Sequence, residues 1–120
     1  MKLYKEEIVD HYKNPRRFGE LPDKTHEANE TNASCGDMIE IYLKIKEGVI
    51  KDAAFKGVGC ALSTAAASML MEELVGKKQD EVLRWDKKKM EDLIGEVNPG
   101  RIKCIMLPIV ALQAIKKVKE

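Results

Sequence analysis

An alternation of apolar and polar residues over positions 38–46 constrains the fold of this chain most strongly. The apolar members are Ile39, Ile41, Leu43 and Ile45. A period of two is typical of a strand with one buried face. The tight turn Glu47-Gly48 follows, and residues 49–58 predict a second strand that pairs back on the first. One face of this antiparallel pair is apolar and has to be covered by other elements.

Helical patterns on both sides of the hairpin supply that cover. Residues 61–75 carry a broad apolar stripe that stops at Gly76, which predicts a helix packed on the sheet. Residues 2–12 predict an N-terminal helix that ends before a proline. Two short helices are expected further along, over residues 79–84 and 87–94.

The last helix is expected over residues 105–119, directly after Cys104. Pro108 would then lie in the first turn, where a missing N–H costs no hydrogen bond. A short strand over residues 26–34 completes the pattern. The sequence therefore predicts an α+β fold: a small antiparallel β-sheet of about three strands packed against an N-terminal helix and C-terminal helices. We expect residues 1–120 to form one domain.

Composition excludes several classes of protein. The chain has 120 residues and a formal net charge of +1, and aromatic residues make up 5%. This argues against a basic nucleic-acid surface and against stacked-base recognition. The longest apolar run contains Pro108 and is too short for a bilayer, and the N-terminus lacks the apolar region of a signal peptide. We therefore expect a cytoplasmic protein with no nucleic-acid or membrane partner.

Three cysteines and one aspartate are the candidate site residues. Cys35 and Asp37 are separated only by Gly36, whose lack of a Cβ permits a positive φ and a close approach by other groups. Cys60 and Cys104 each open a predicted helix. An odd number of cysteines in a reducing compartment favours free thiols or metal ligation over disulfides. His11 is expected to be hydrogen-bonded or solvated and not to be a ligand.

The positions of two of the thiols favour the thiolate form. The N-terminus of a helix has a positive dipole and unpaired N–H groups, and Lys103 beside Cys104 acts in the same direction. Thiolates bind soft metals and accept sulfur. The cysteine spacings match no zinc finger, so a joint site has to be assembled in the tertiary structure. Three unrelated buried cysteines are the alternative.

Four segments, in order, resemble a known family. They are Asp10-His11-Tyr12-Lys13-Asn14-Pro15-Arg16, Ser34-Cys35-Gly36-Asp37, Phe55-Lys56-Gly57-Val58-Gly59-Cys60-Ala61-Leu62-Ser63 and Lys103-Cys104. Over nearly its whole length the chain resembles the scaffold family of iron–sulfur cluster assembly, of the NifU N-terminal/IscU/SufU type. The resemblance implies a small antiparallel sheet backed by helices, in agreement with the patterns above.

The resemblance also implies a function. Members of this family receive persulfide sulfur from a cysteine desulfurase, combine it with iron and pass the cluster to apo-proteins. Cys35, Cys60 and Cys104 would be thiolate ligands of a 2Fe-2S cluster and Asp37 the fourth ligand. A hard carboxylate in place of a fourth thiolate leaves one labile corner. Cys104 would accept the persulfide, and a homodimer is expected when a cluster is bound.

Two departures place the chain between branches of the family. The IscU branch has a histidine before the last cysteine, whereas this chain has Lys103, like the SufU branch. A protonated lysine cannot be a ligand, so the fourth ligand falls on Asp37, and Lys103 is expected to tune the Cys104 thiolate. The chain also lacks the chaperone-recognition segment of IscU and the extra segment typical of SufU.

Three functions remain open from the sequence. The first is a non-enzymatic scaffold and carrier for a 2Fe-2S cluster. The second is a zinc-bound, SufU-like sulfurtransferase partner of a cysteine desulfurase, since the same four residues suit tetrahedral zinc. The third is an interaction domain whose thiols are inert.

Overall fold

The structure is a computed structural model that describes residues 4–32, 36–95 and 97–118. Its elements, in order, are α1 (Tyr4–Lys13), β1 (His26–Asn32), β2 (Asp37–Lys46), β3 (Val49–Val58), α2 (Ala61–Leu74), α3 (Gln79–Val82), α4 (Lys87–Ile94), α5 (Ile102–Gln113) and β4 (Lys116–Lys117). A 3-10 turn over Pro99–Arg101 precedes α5. Among the described helices, none is long and apolar enough to cross a membrane.

The four strands form one antiparallel sheet in the order β3-β2-β1-β4. Ile41 in β2 pairs with Phe55 in β3 and with Ala28 in β1. The predicted α+β class is confirmed. The two-residue strand β4 adds a fourth strand to the roughly three that the alternation predicted, and its two lysines carry no apolar signal that could have announced it.

The apolar face of the sheet packs against α2 and α5. The main core cluster includes Ile39, Ile41, Leu43 and Phe55 from the sheet, Ala66, Ala67, Leu70 and Leu74 from α2, and Ile105, Ile109 and Leu112 from α5. The small residues in the first half of α2 let its backbone approach the sheet closely. Because both helices are held this way, their N-terminal ends meet at the same end of the sheet.

The boundaries of the last helix differ from the prediction. Expected over residues 105–119, α5 instead spans Ile102–Gln113, so that Cys104 lies inside its first turn and Pro108 in its interior. The 3-10 turn starts the helical run early, and pairing of β4 with β1 ends it early. Pro108 cannot donate the hydrogen bond that the Cys104 carbonyl would otherwise accept.

The outer edge of β3 is covered by the chain itself. Near the middle of the strand, the Phe55 N–H donates to the Arg17 carbonyl at 3.0 Å, and the Gly19 N–H donates to the Phe55 carbonyl at 2.9 Å. Near its start, Ile50 makes a similar exchange with the backbone of Lys77 and Gly76. Coverage of this kind protects an edge from pairing with other chains.

His11 joins α1 to α2. The Ser68 hydroxyl accepts the Arg16 N–H at 2.8 Å and lies 2.7 Å from Nδ1 of His11. The hydroxyl hydrogen is therefore free for Nδ1, and the ring hydrogen belongs on Nε2, 3.4 Å from Glu72 Oε1. As the sequence suggested, His11 is hydrogen-bonded. Burial is the main reason that its pKa is lowered, with the Arg16 cation acting in the same direction.

The lowered pKa of His11 predicts a loss of stability in mild acid. The folded protein holds the ring neutral where the unfolded chain binds a proton. The contribution is complete above the ordinary histidine pKa and disappears as the pH falls through the lowered folded-state value. Thermal unfolding at pH 7 and pH 5 should show a smaller acid-induced drop in Tm for His11→Gln than for wild type.

The control for this prediction is His26→Gln. Burial and Lys117 lower the pKa of His26 as well, so each variant should remove its own share of the drop. An unchanged drop in His11→Gln would contradict the assignment of a neutral ring.

Candidate metal or cluster site

Three candidate ligands converge where α2 and α5 begin. Asp37 is the first residue of β2, Cys60 immediately precedes α2, and Cys104 lies in the first turn of α5. One ligand atom from each of them lies within 4.8 Å of the others. The structure thus brings together three of the four residues that the sequence singled out. Cys35, the fourth, lies outside the described residues.

Asp37 is a buried carboxylate with a single described side-chain partner. It is 6% exposed, and its Oδ2 accepts a hydrogen bond from the Ser63 hydroxyl at 2.6 Å. A short bond to an ionised acceptor fixes the orientation of the carboxylate. Among the residues that the structure describes, Ser63 is the one whose side chain donates to this carboxylate.

Ser63 is the site residue that sequence reasoning missed. Its place among the small residues of α2 is explained by helix–sheet packing alone, so residue type did not point to the site. The available signal was its position three residues after Cys60, where an N-cap side chain meets the backbone N–H of the first turn. Ser63 contacts both Asp37 and Cys60, so it links the carboxylate to a thiol.

Cys60 caps α2 and is the more acidic of the two described thiols. Its Sγ accepts the Ser63 N–H at 3.4 Å and lies 3.4 Å from the Ser63 hydroxyl. Burial alone would raise the pKa of Cys60, but the Ser63 hydrogen bonds and a contact with Cys104 outweigh it and lower that pKa. Charge at the N-terminus of α2 is stabilised in the same way.

Cys104 behaves in the opposite sense. Burial, followed by the neighbouring Cys60 sulfur, raises the pKa of Cys104, although Ser63 and Arg101 oppose the rise. We expected the helix start to enrich the Cys104 thiolate. When both thiols are free, Cys60 is instead the one that loses its proton first as the pH rises, because the two sulfurs are adjacent and only Cys60 has the cap hydrogen bonds.

Lys103 does not share the buried site with its neighbour. It is exposed and lines an open groove of about 280 Å³ with Thr31, Met106 and Val110. The cation that lowers the pKa of Cys104 in the structure is Arg101. Whether Lys103 also tunes this thiol stays a prediction.

Two glycines shape the approach to Asp37. Gly36 has φ +77°, a left-handed conformation that glycine adopts without strain, as the sequence analysis expected. At Gly59 the reason is space: a Cβ there would lie 3.0 Å from Cγ and 3.2 Å from each oxygen of Asp37. Met38, which follows Asp37, and Val58, which precedes Gly59, are exposed and add apolar surface beside these two residues.

Gly59→Ala should therefore weaken metal binding without unfolding the protein. The new methyl group requires the Asp37 carboxylate to move by a few tenths of an ångström, which disturbs its hydrogen bond from Ser63. Changes in groups that support metal ligands cost about 10–100-fold in affinity, and we expect a loss of zinc affinity in this range by competition with a chromophoric chelator.

Gly100→Ala is the matched control for this substitution. A Cβ at Gly100 would meet only the Asn98 side chain, at an ordinary 3.4 Å, and should leave zinc affinity unchanged. Equal affinities for Gly59→Ala and wild type would show that Asp37 is not a ligand held by this contact.

Comparisons with known proteins agree with this geometry. The family model described as NifU-like N terminal domain matches residues 3–120. The iron–sulfur cluster assembly scaffold protein IscU of Thermotoga maritima is 36% identical, over 98% of this chain and 96% of its own. The zinc-dependent sulfurtransferase SufU of Bacillus subtilis is also 36% identical, over 92% of this chain and 87% of its own.

A solved structure extends the comparison to the fold. It comes from Fervidobacterium islandicum AW-1 and is described as a candidate iron–sulfur cluster assembly scaffold for the SUF system. It has a TM-score of 0.78 and 27% identity, and the match covers 91% of this chain and 93% of that one. A family match that includes all four candidate ligands settles the membership: this chain belongs to the NifU N-terminal/IscU/SufU family of iron–sulfur cluster scaffolds.

Proposed function

We propose that this protein is a non-enzymatic scaffold on which a 2Fe-2S cluster is assembled before transfer to apo-proteins. The observation that carries the proposal is the convergence of Cys60, Cys104 and buried Asp37 within 4.8 Å. Cys35 would be the third thiolate, because it is two residues from Asp37 in the chain. Similarity to IscU proteins supports the same assignment.

The donor set explains how a cluster could be both held and released. Thiolates are the usual ligands of iron–sulfur clusters, whereas a carboxylate is a hard donor that suits harder cations. With a cluster bound, the bond to Asp37 would therefore be the weakest of the four and the first to exchange. The hydrogen bond from Ser63 orients this carboxylate and restrains its movement, and only the Asp37 side chain would have to move for the corner to open.

The proposed sulfur source is a cysteine desulfurase. The Cys104 thiolate attacks the outer sulfur of the enzyme's persulfide, a new S–S bond forms on Cys104, and the enzyme's cysteine leaves as a thiolate. The choice of Cys104 rests on the family resemblance. Because the pKa of Cys104 is raised while that of Cys60 is lowered, Cys104 is the harder of the two thiols to deprotonate, and its proton has to leave before the attack.

Several further assignments belong to the same proposal. The partners are a cysteine desulfurase and apo iron–sulfur proteins, and a homodimer forms around the bound cluster. The protein works in the cytoplasm. No nucleic acid or membrane takes part.

A zinc-dependent sulfurtransferase is the second candidate. Two thiolates and a carboxylate, with Cys35 as a fourth ligand, also fit tetrahedral zinc, and the SufU of Bacillus subtilis is as similar as the IscU relative. Zinc would occupy the site until one cysteine is freed to accept sulfur. Lys103 also favours this alternative, because the SufU branch has a lysine at this position where the IscU branch has a histidine.

Metal analysis of the protein after anaerobic purification separates the two functions. The scaffold predicts iron and acid-labile sulfide in equal amounts, or a cluster that can be reconstituted from both. Stoichiometric zinc that iron and sulfide cannot replace would reject the scaffold in favour of the sulfurtransferase.

Lys103→Ala should raise the pKa of Cys104 if the lysine tunes this thiol. Removing a nearby cation disfavours the thiolate. The measurement is the rate of alkylation of each cysteine against pH, with metal removed and with mass spectrometry to locate the label. Cys60 should be labelled at lower pH than Cys104 in every variant.

Arg101→Ala is the comparison for this prediction, since Arg101 lowers the pKa of Cys104 in the structure. Both variants should shift the Cys104 midpoint upward. If only Arg101→Ala shifts the Cys104 midpoint upward, Lys103 does not tune the thiol. Its role would then lie in the exposed groove that it lines.

A further inference from the structure

The two edges of the sheet are treated differently. The outer edge of β3 is covered by backbone hydrogen bonds from residues 17–19 and from Gly76 and Lys77. On the outer side of β1, β4 pairs only with His26 and Glu27. Across the described residues, no strand pairs with residues 28–31 on this side, which we call the open edge. Alternate N–H and C=O groups of such an edge are available to another strand.

Two grooves flank the open edge. One has a volume of about 590 Å³ and is lined by Ala28, Asn29 and the two lysines of β4. The other, of about 280 Å³, lies between Glu30, Thr31 and the outer side of α5 and reaches Lys103. Asn29 and Thr31 are exposed. An extended chain seated here would run beside α5 and end next to the turn that carries Cys104.

The lining of the grooves indicates the chemistry of the occupant. Lys103, Lys116 and Lys117 form no ion pair with any residue that the structure describes. Glu27 already faces Lys24 at 3.6 Å, which leaves Glu30 as the remaining carboxylate of the lining. Apolar surface is supplied by Met106 and by Val110, which is 41% exposed. The partner that complements these lysines and apolar side chains is an extended segment in which acidic and apolar residues alternate.

We propose that the open edge of β1 binds an extended, acidic segment of a partner protein by strand addition. Backbone hydrogen bonds to β1 would provide affinity, and alternate side chains would reach the lysines and the apolar side of α5. A second copy of this chain fits less well, because two-fold pairing would bring the same lysines of both copies together. The proposal goes beyond the scaffold function and requires neither metal nor cluster.

The test is an NMR titration of the full-length chain with an acetylated, amidated hexapeptide of alternating glutamate and valine. Amide shifts should change along residues 28–31 and around Val110, and hydrogen exchange of outward-facing amides of β1 should slow. The same peptide with lysine in place of glutamate should bind more weakly. A peptide N-methylated at alternate residues, which cannot complete the ladder, should not bind.

Charge-reversal variants complete the test. Lys116→Glu combined with Lys117→Glu should weaken binding of the acidic peptide by about tenfold, the size expected for two exposed charge pairs. Lys51→Glu is the matched control, because Lys51 is an exposed lysine on β3, away from the groove. It should leave the affinity within about twofold.

Three results would overturn the proposal. Equal binding of the N-methylated peptide would exclude strand addition. Shift changes confined to other surfaces, or none up to the solubility limit, would exclude the open edge as the site. Protection of residues 28–31 that grows with protein concentration and no peptide would assign the edge to a second copy. None of these results depends on whether the protein assembles a cluster. Failure of the scaffold function would therefore be distinguishable from failure of the strand-addition proposal.

Discussion

Cys60→Ser should lose at least about 100-fold in zinc affinity and should fail to hold a cluster under conditions that reconstitute the wild type. Changing a group that only supports a ligand costs about 10–100-fold, and loss of a thiolate ligand should exceed that. Serine still offers an oxygen to the Ser63 N–H, so α2 keeps its cap. The metal-free variant should therefore unfold close to the wild-type temperature.

The matched control is Ala61→Ser, an exposed substitution at the next position. It should leave both metal affinity and Tm unchanged. If Cys60→Ser bound zinc as tightly as wild type, the convergence of the two thiols would have no role in metal binding. The alternative of three unrelated buried cysteines would then be favoured.

Asp37→Ala should slow transfer of a reconstituted cluster to an apo-ferredoxin, by roughly tenfold if the effect is as large as other changes around metal ligands. The three thiolates remain, while the weakly bound carboxylate from which exchange starts is gone. Transfer is followed by the visible absorption or circular dichroism of the recipient, under anaerobic conditions and with equal cluster loading.

Ser63→Ala separates the two roles of this carboxylate. It keeps the oxygen ligand and removes the 2.6 Å hydrogen bond that orients it. Transfer from Ser63→Ala should be at least as fast as from wild type, because the corner opens more easily. Faster transfer from Asp37→Ala than from wild type would contradict the labile-corner account.

Much of the fold could be predicted because local patterns and packing agree. The alternation over residues 38–46 and the turn at Glu47-Gly48 set the β2–β3 hairpin, and the predicted bounds of β3 match the structure. The apolar stripe after Cys60 predicted α2 almost to the residue. The helix expected over residues 87–94 is also present, and it is capped by Asp86, whose Oδ1 accepts the Lys88 N–H at 3.0 Å.

The end of the chain was less predictable because tertiary pairing overrides the local pattern there. Apolar residues at helical spacing continue past Gln113, but the backbone leaves the helix to pair Lys116 and Lys117 with β1. Pro108 suggested a helix start nearby, yet it lies inside α5. A proline constrains its own N–H and φ, and it does not show how far the preceding turn extends.

The candidate site residues could be singled out from the sequence, but their electrostatics could not. Residue type pointed to Cys60, Cys104 and Asp37, and the family resemblance grouped them as one candidate ligand set. The division of charge between the thiols depends on their mutual contact and on Ser63, which belong to the tertiary structure. For the same reason, no pattern in β1 alone revealed that its outer edge would stay open.

The most direct test of the central claim is cluster assembly followed by transfer. The full-length protein is incubated anaerobically with ferrous iron, cysteine and a cysteine desulfurase, re-isolated, and mixed with apo-ferredoxin in the presence of an iron chelator. We expect this protein to show the absorption spectrum of a 2Fe-2S cluster. After mixing, the amount of cluster that it loses should equal the amount that the ferredoxin gains. Retention of zinc, with sulfur delivered to an acceptor and no cluster formed on this protein, would contradict it.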